Sequence, residues 1–468
     1  MAKICIMCNE AAGSHEHVFP AALGGRRTNK GIYCTTHNNG FGRHVAALQN
    51  QLLMLNAILM VRPDRHDGPK SFVFSDKDGG SLSMVGQNIQ TAAPPPIEDL
   101  AIEPGAKVSL EFGSIEQYEH WREAQKKNGW DVRALSSGEI QRHHFASPLK
   151  VQLAFGGKDA LQAVGYLALT FFAQYFPVEA RQRGLDDFKD FLKLDFSKAE
   201  DERKWTPNLV WWDGRDSEHV VSKNPFKFGH TVVVGTSGAS NRAYAYISFF
   251  SSMNFGIDLG PVENVSESMV RVFIDPKAEK APNDLDVMRS NTFSIEVAPE
   301  ISDLGEMIRS GSAQTAMSRF FAKAGAWHFD LFIEEIQDKI RGWENPRSTE
   351  GGNFAETLVE KYSQRVLNLL SEASSGLREH FADTELPKQL FTLLDNVVKS
   401  DDSQPNGLSA ATNAFLELAK KEIANALKEE LGAQNPSAER IVLLFAGGPG
   451  VAVITEKIVL PILLNWRR

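Results

Sequence analysis

Ile4-Cys5-Ile6-Met7-Cys8, Ser14-His15-Glu16-His17-Val18-Phe19-Pro20, Leu23-Gly24-Gly25 and Tyr33-Cys34-Thr35-Thr36-His37-Asn38-Asn39-Gly40-Phe41 follow one another near the start of the chain. All three cysteines of the 468 residues lie here, as a C-x-x-C and at the head of a C-x-x-H. Five of the twelve histidines, His15, His17, His37, His44 and His66, fall in the first 66 residues. Two such knuckles can set four N/S ligands tetrahedrally around one ion, and a segment too short to bury its own core needs that staple. Cys5, Cys8, Cys34 and His37 are therefore read as the ligands of a structural Zn²⁺. Unrelated thiols are the alternative. A redox C-x-x-C fits less well, because no βαβ pattern surrounds it.

The length allows two to four domains at roughly 100–200 residues each. Hydrophobic residues make up 42% and charged residues 23%, which excludes a mainly disordered, collagen-like or polytopic membrane chain. Three cysteines exclude a disulfide framework, and the N-terminus lacks the apolar core and cleavage site of a secretion signal, so a cytoplasmic location is expected. The first 66 residues carry seven Lys and Arg against three Asp and Glu, a net +4 in a chain whose total is −9. A small basic unit on a large acidic body is the result, and attraction of nucleic acid to the whole molecule is not expected.

The joint pattern resembles the HNH endonucleases of the ββα-metal type. That family shows a C-x-x-C, an acidic residue followed by His, a hydrophobic residue and Pro, then a Leu-Gly-Gly loop. An Asn five residues before a Cys follows, then a second knuckle with His or Asn directly after it. Glu16-His17-Val18-x-Pro20, Leu23-Gly24-Gly25, Asn29 before Cys34, and Asn38 all match. His37 departs from it, standing where a fourth cysteine is usual.

The resemblance implies His17 as general base, since a neutral imidazole can take a proton near neutral pH. It implies Glu16 and Asn38 as ligands of a catalytic divalent cation, Mg²⁺ or Mn²⁺, which prefer oxygen donors. Asn29 would fix the His17 ring. Neighbouring strand residues point to opposite faces, so Glu16 and His17 need a bent strand end to converge on one phosphate. A shift of register would put His15 in place of His17, or Asn39 in place of Asn38.

From Gly40 to Met60 the apolar residues Phe41, Val45, Leu48, Leu52, Leu55 and Leu59 recur at helical spacing, and Pro63 follows. Asn38 then stands at a helix N-terminus, where dipole and free amides suit a phosphate. Arg26, Arg27 and Arg43 are candidate contacts to the DNA backbone, with a solvated surface arginine the alternative for Arg43. His44 is read as a helix-surface residue, and His66 lies outside the pattern.

The remainder predicts an α+β, multidomain chain: the unit at 1–66, a mixed middle with an antiparallel sheet at 67–300, and a helical region at 301–468. Strands are expected at 71–74, 107–112, 209–212, 231–234, 243–250 and 269–274. Helices are expected at 114–127, 158–176, 183–194, 313–340, 354–380, 387–398 and 408–431. Asp76-Lys77-Asp78-Gly79-Gly80 reads as a hairpin turn and Gly235–Ser240 as a hairpin loop. Trp211-Trp212 fits a sheet core better than base stacking. The tail from Ile441 to Thr455 has no charge but is broken at Gly447-Gly448-Pro449-Gly450, so a buried or partner-facing segment is expected rather than a membrane span.

The expected function is metal-dependent hydrolysis of DNA phosphodiesters. The acidic body would regulate or target it, in the manner of anti-phage effectors, and could take a partner protein or a second copy through its C-terminal region. A non-catalytic zinc-knuckle nucleic-acid-binding or scaffold protein is the alternative.

Overall fold

The computed structural model describes residues 3–64, 68–75, 80–100, 102–134, 144, 149, 151, 156–202, 209–280, 288–292, 312–343, 350–381 and 410–461. The α+β class is as the sequence predicts. The chain divides into two compact units, Met1–Ala124 with Val151–Gly325, and Gln125–Lys150 with Ala326–Arg468. This differs from the expected boundaries at 66 and 300.

In the first unit, β1 (Glu16–His17) and β2 (Thr28–Asn29) pair antiparallel, Glu16 opposite Asn29 and His17 opposite Thr28. Helix α1 (Thr35–Leu59) follows. Cys34 is its N-cap, so it begins five residues before the expected Gly40, and Asn38 stands inside the first turn. Met60 ends it with φ 54°, a left-handed C-terminus made without glycine. Strands β3 (Phe72–Ser75), β4 (Ser81–Val85) and β5 (Asn88–Thr91) form a small antiparallel sheet. Ser75 pairs with Ser81 across the expected turn, whose residues 76–79 lie outside the described ones. Lys107–Phe112, expected as a strand, is not one: Phe112 instead packs on Trp121 of α2 (Ile115–Lys127). Ser114 Oγ caps α2 by accepting from Gln117 N at 3.1 Å.

Helix α3 (Gly157–Tyr175) is buried along most of its length, as its apolar sequence predicts. Helices α4 (Asp186–Lys193), α5 (Ala199–Glu202) and α6 (Ser217–Val221) are short. The main sheet contains β6 (Val210–Asp213), β7 (His230–Ser237), β8 (Arg242–Phe249), β9 (Met253–Pro261), β10 (Ser268–Ile274) and β11 (Met288–Ser290). Its order is β11-β10-β7-β8-β9-β6, antiparallel throughout. Trp211 and Trp212 are buried in it, and Gly235–Ser240 belongs to the β7–β8 hairpin, both as expected. Strand β9 was not expected, because Gly256 and Gly260 interrupt its pattern. At Gly256 a Cβ would come within 2.3 Å of the Trp211 ring, so glycine is what lets the indole lie on the strand.

Residues 3–64 share the core of this unit. Phe19 packs on Phe171 and Phe249, Tyr33 stacks on Tyr166, and Phe41 packs on both tyrosines. His230, fully buried, donates from Nε2 to the Leu23 carbonyl at 3.1 Å and accepts from Phe250 N at 3.3 Å. Each large apolar side chain in this contact contributes about 1.5–3 kcal/mol by burial. An isolated 1–66 fragment with zinc is therefore expected to show no cooperative melt by circular dichroism. A sharp transition would mean that it folds alone.

The second unit is helical. It takes α7 (Ser312–Arg341) from Ala326 onward, α8 (Glu350–Lys361), α9 (Ser363–Phe381), α10 (Ala410–Leu431), α11 (Ala438–Ala446) and α12 (Gly448–Ile454), the last continued by a π turn over Thr455–Val459. The expected single helix at 354–380 is thus two, broken at Tyr362, and the expected helix at 387–398 lies outside the described residues. Ile336, Leu358, Val366, Ile423, Leu427, Ile441, Phe445 and Ile454 share one core, so the charge-free tail is buried here. Among the described residues no single helix is long and apolar enough to cross a membrane. The pair Ala438–Ala446 and Gly448–Val459 passes by length and composition together, but it is bent by 60°.

Candidate metal centre and histidine site

The two knuckles meet. The ligand atoms of Cys5, Cys8, Cys34 and His37 all lie within 4.8 Å of one another. His37 Nδ1 is 3.2 Å from Cys34 Sγ, 3.5 Å from Cys8 Sγ and 3.8 Å from Cys5 Sγ, and Cys8 Sγ is 3.9 Å from Cys34 Sγ. A tetrahedral zinc with ordinary bond lengths sets S···S at about 3.8 Å and S···N at about 3.6 Å. The cluster can hold a metal ion, and its spacing is compatible with zinc. Local backbone bonds shape it: Cys5 N donates to Glu10 O at 2.8 Å, Ile6 N to Ile32 O at 3.0 Å, and Met7 N to Cys5 Sγ at 3.5 Å.

The electrostatics of the cluster are divided, since burial and the neighbouring thiols push the Cys8 thiol up to about 11. Burial, with Lys193 nearby, lowers the His37 pKa and favours the neutral ring that binds metals. Burial opposes a Cys34 thiolate, but the amides of His37 and Thr36 and the neighbouring thiols outweigh it and lower that pKa.

The loop between β1 and β2 needs its glycines. Gly24 has φ +85°, and a Cβ there would sit 2.6 Å from Pro276 Cα. At Gly25 a Cβ would sit 2.1 Å from Phe19 O. This packing seats the loop so that His17 Nε2 lies 3.2 Å from Asp64 Oδ2, both side chains being about a quarter exposed. Asp64 Oδ1 also accepts from Arg26 Nη1 at 3.1 Å. Burial alone would raise the Asp64 pKa, but the bonds from His17 and Arg26 hold it below the usual carboxylate range.

Glu16 and His17 take different partners. Glu16 is buried and accepts from the hydroxyl of Tyr166. Burial raises its pKa to about 7, partly offset by that bond. Asn38 Nδ2 donates to Ser14 Oγ at 2.6 Å and to the His15 carbonyl at 3.2 Å. Asn29 Nδ2 donates to Gln174, and its Oδ1 accepts from Gly31 N at 2.7 Å. Glu16 and Asn38, expected to share a cation, thus have separate protein partners here. Among the described residues the Cys5-Cys8-Cys34-His37 group is the one cluster of three or more His, Cys, Asp or Glu placed to share a metal. Asn29 does not hold His17 either; its partners lie on α3 and in its own turn.

The arginines are drawn inward. Arg26 is 8% exposed, with Nε on Ala278 O at 3.0 Å and Nη2 on Arg62 O at 3.3 Å besides Asp64. Arg26 thus has protein partners where contact with the DNA backbone is expected from sequence. Arg27 donates to Tyr175 Oη at 3.1 Å. Arg43 donates to Leu194 O at 2.6 Å and remains 44% exposed. His44, expected on the helix surface, is 2% exposed with Nε2 3.0 Å from Leu192 O, and burial lowers its pKa to about 4. His15 is exposed, and His66 lies outside the described residues. Sequence reasoning missed Asp64 and Tyr166. Asp64 carried one faint signal, an acid just past the Pro63 that follows α1; Tyr166 carried none within an apolar helix.

Glu16 makes stability depend on pH. Below its unfolded pKa of 4.5 both states hold the proton and its contribution is complete; as pH rises towards about 7 only the unfolded chain ionises, and stability falls. The loss is about 2–3 kcal/mol for a shift of this size. Glu16→Gln is expected to gain that much over the natural protein between pH 5 and pH 8, read from urea midpoints without added divalent cation. Parallel curves for the two proteins would refute the buried acid.

Fold and site together define an α+β chain in which the knuckle ahead of β1 and the start of α1 bring together four N/S groups that could hold a metal ion. In comparison with known proteins, no family model, no curated relative and no solved structure matches it. The family likeness rests on the residues quoted above.

Proposed function

We propose that the chain is a zinc-stapled HNH-type nuclease that hydrolyses DNA phosphodiester bonds with His17 as general base. One observation carries the reading. The Cys5-Cys8-Cys34-His37 cluster gathers both knuckles beside a ββα hairpin and helix, and the hairpin presents a partly exposed histidine whose Nε2 is 3.2 Å from a carboxylate. A neutral imidazole so oriented can take a proton from water as the water oxygen attacks phosphorus and the ester oxygen departs. Zinc is the ion proposed for the cluster, and thiolate ligation suits a reducing compartment. The acidic remainder is proposed to regulate or target the cleavage. The test is nicking of supercoiled plasmid by the full chain, with and without Mg²⁺ or Mn²⁺, against His17→Ala. Equal nicking by both proteins refutes the assignment.

A non-catalytic zinc-knuckle protein is the second reading. The burial of Glu16 on Tyr166 and the inward bonds of Arg26 favour it, since they remove an oxygen ligand and a cation from the nuclease pattern. Binding of duplex DNA without nicking under any of these conditions would select it.

A further inference from the structure

We propose that Asp64 is the positioning residue of His17, fixing the ring as the Nε2–H tautomer with its lone pair on Nδ1, and that Arg26 locks Asp64 for that task. The inference rests on the reading of His17 as the base.

Asp64 comes from beyond the helix that follows the hairpin, 47 residues from His17 in sequence. Its backbone N–H donates to Ala21 O at 3.3 Å, which ties it to the loop between β1 and β2. Its two oxygens divide the work: Oδ2 faces His17 Nε2 at 3.2 Å and Oδ1 faces Arg26 Nη1 at 3.1 Å. An ionised carboxylate only accepts, so the ring nitrogen facing it must carry the proton. The other nitrogen is then the atom able to take a proton from water.

Arg26 makes the arrangement stiff. Its Nε and Nη2 are held by the carbonyls of Ala278 and Arg62, and its side chain is 8% exposed. A guanidinium donates and never accepts, so whatever occupies position 64 must turn an oxygen towards it. Asparagine there would keep its oxygen on Arg26 and present its NH₂ to His17. The ring would then accept at Nε2, move its proton to Nδ1 and lose the lone pair the base needs. Asp64→Asn is thus an almost isosteric change with a defined tautomeric consequence.

The experiment uses the full-length, zinc-loaded protein labelled with ¹⁵N-histidine at pH 8. Long-range ¹H–¹⁵N correlation spectra report the tautomer, with the His17 signals assigned through His17→Gln. The expected result is Nε2–H in the natural protein and Nδ1–H in Asp64→Asn. Nicking is expected to fall roughly 10²–10⁴-fold in kcat with KM little changed. Asp64→Glu, which keeps the acceptor, is expected to retain the Nε2–H tautomer and recover part of the rate. A natural protein with the proton on Nδ1, or an Asp64→Asn spectrum with the tautomer unchanged, overturns the proposal. Inversion of the tautomer without any loss of nicking overturns it as well. Inversion in a protein that never nicks DNA leaves Asp64 as the group that orients His17 and removes the nuclease reading instead.

Discussion

Complete removal of the ion from the Cys5-Cys8-Cys34-His37 cluster is expected to unfold residues 3–34 locally while the main sheet stays folded. Structural zinc contributes about 10–16 kcal/mol of apparent binding energy in zinc-finger peptides, as much as a whole domain's stability of roughly 5–15 kcal/mol. Regular backbone pairing in this segment is sparse. Its strands are two residues each, and the first knuckle depends on a few turn bonds and the isolated bridge Ile4–Ala11. The apolar anchors Phe19 and Tyr33 limit the damage by tying the segment to α3 and the sheet. Cys34→Ser should act like chelation, because it takes one thiol out of the cluster while serine still suits the N-cap position of α1. Hydrogen exchange is the measure: amides of residues 3–34 should lose protection in the stripped and the Cys34→Ser proteins, while β7 and β8 keep theirs. Metal analysis should find one zinc per natural chain. Unchanged protection after verified removal would show that packing, not the metal, holds the segment.

His17→Ala is expected to lower nicking by about 10²–10⁴-fold, the usual contribution of a general base. The variant should fold normally. His17 is partly exposed, and its recorded bond is to Asp64, which keeps Arg26 as a partner. Thermal melts should therefore overlap those of the natural protein while the rate falls. A parallel loss of stability and rate would recast His17 as a structural residue. A rate loss in His15→Ala equal to that in His17→Ala would favour the shifted register, although His15 is exposed.

How much of the site was legible varies residue by residue. The four metal-type ligands were, because soft donors at fixed spacing have few other uses in a chain this poor in cysteine. Leu23-Gly24-Gly25 was legible only as a pattern, and its reason, the close approach of Pro276 and Phe19, came from the fold. The partners of these residues did not follow. Tyr166 reaches Glu16 from 150 positions away and Gln174 reaches Asn29 from 145, both from a helix whose sequence says only that it is buried. His44, three residues after Phe41 and four before Leu48, does lie on the apolar face of α1 by helical period, but its polar ring hides that until Leu192 O is seen to pair with it. The strand over Met253–Pro261 escaped because Gly256 makes room for Trp211 of the paired strand β6 and Gly260 for the backbone of Gly184, rather than either marking a turn.

The sequence by itself determined the short-range features: the two knuckles, the order of hairpin and helix, the period of α3 and the strands, and the break in the C-terminal tail. Each depends on residues within a turn or two of one another, where bond geometry and spacing leave few options. Tertiary structure decided what those residues face. It buried Glu16 beside a phenol, turned Arg26 away from solvent and joined residues 3–64 to the main sheet. Burial and hydrogen-bond pairing are fixed by distant segments, and through desolvation they set whether the same carboxyl or guanidinium serves chemistry or the core.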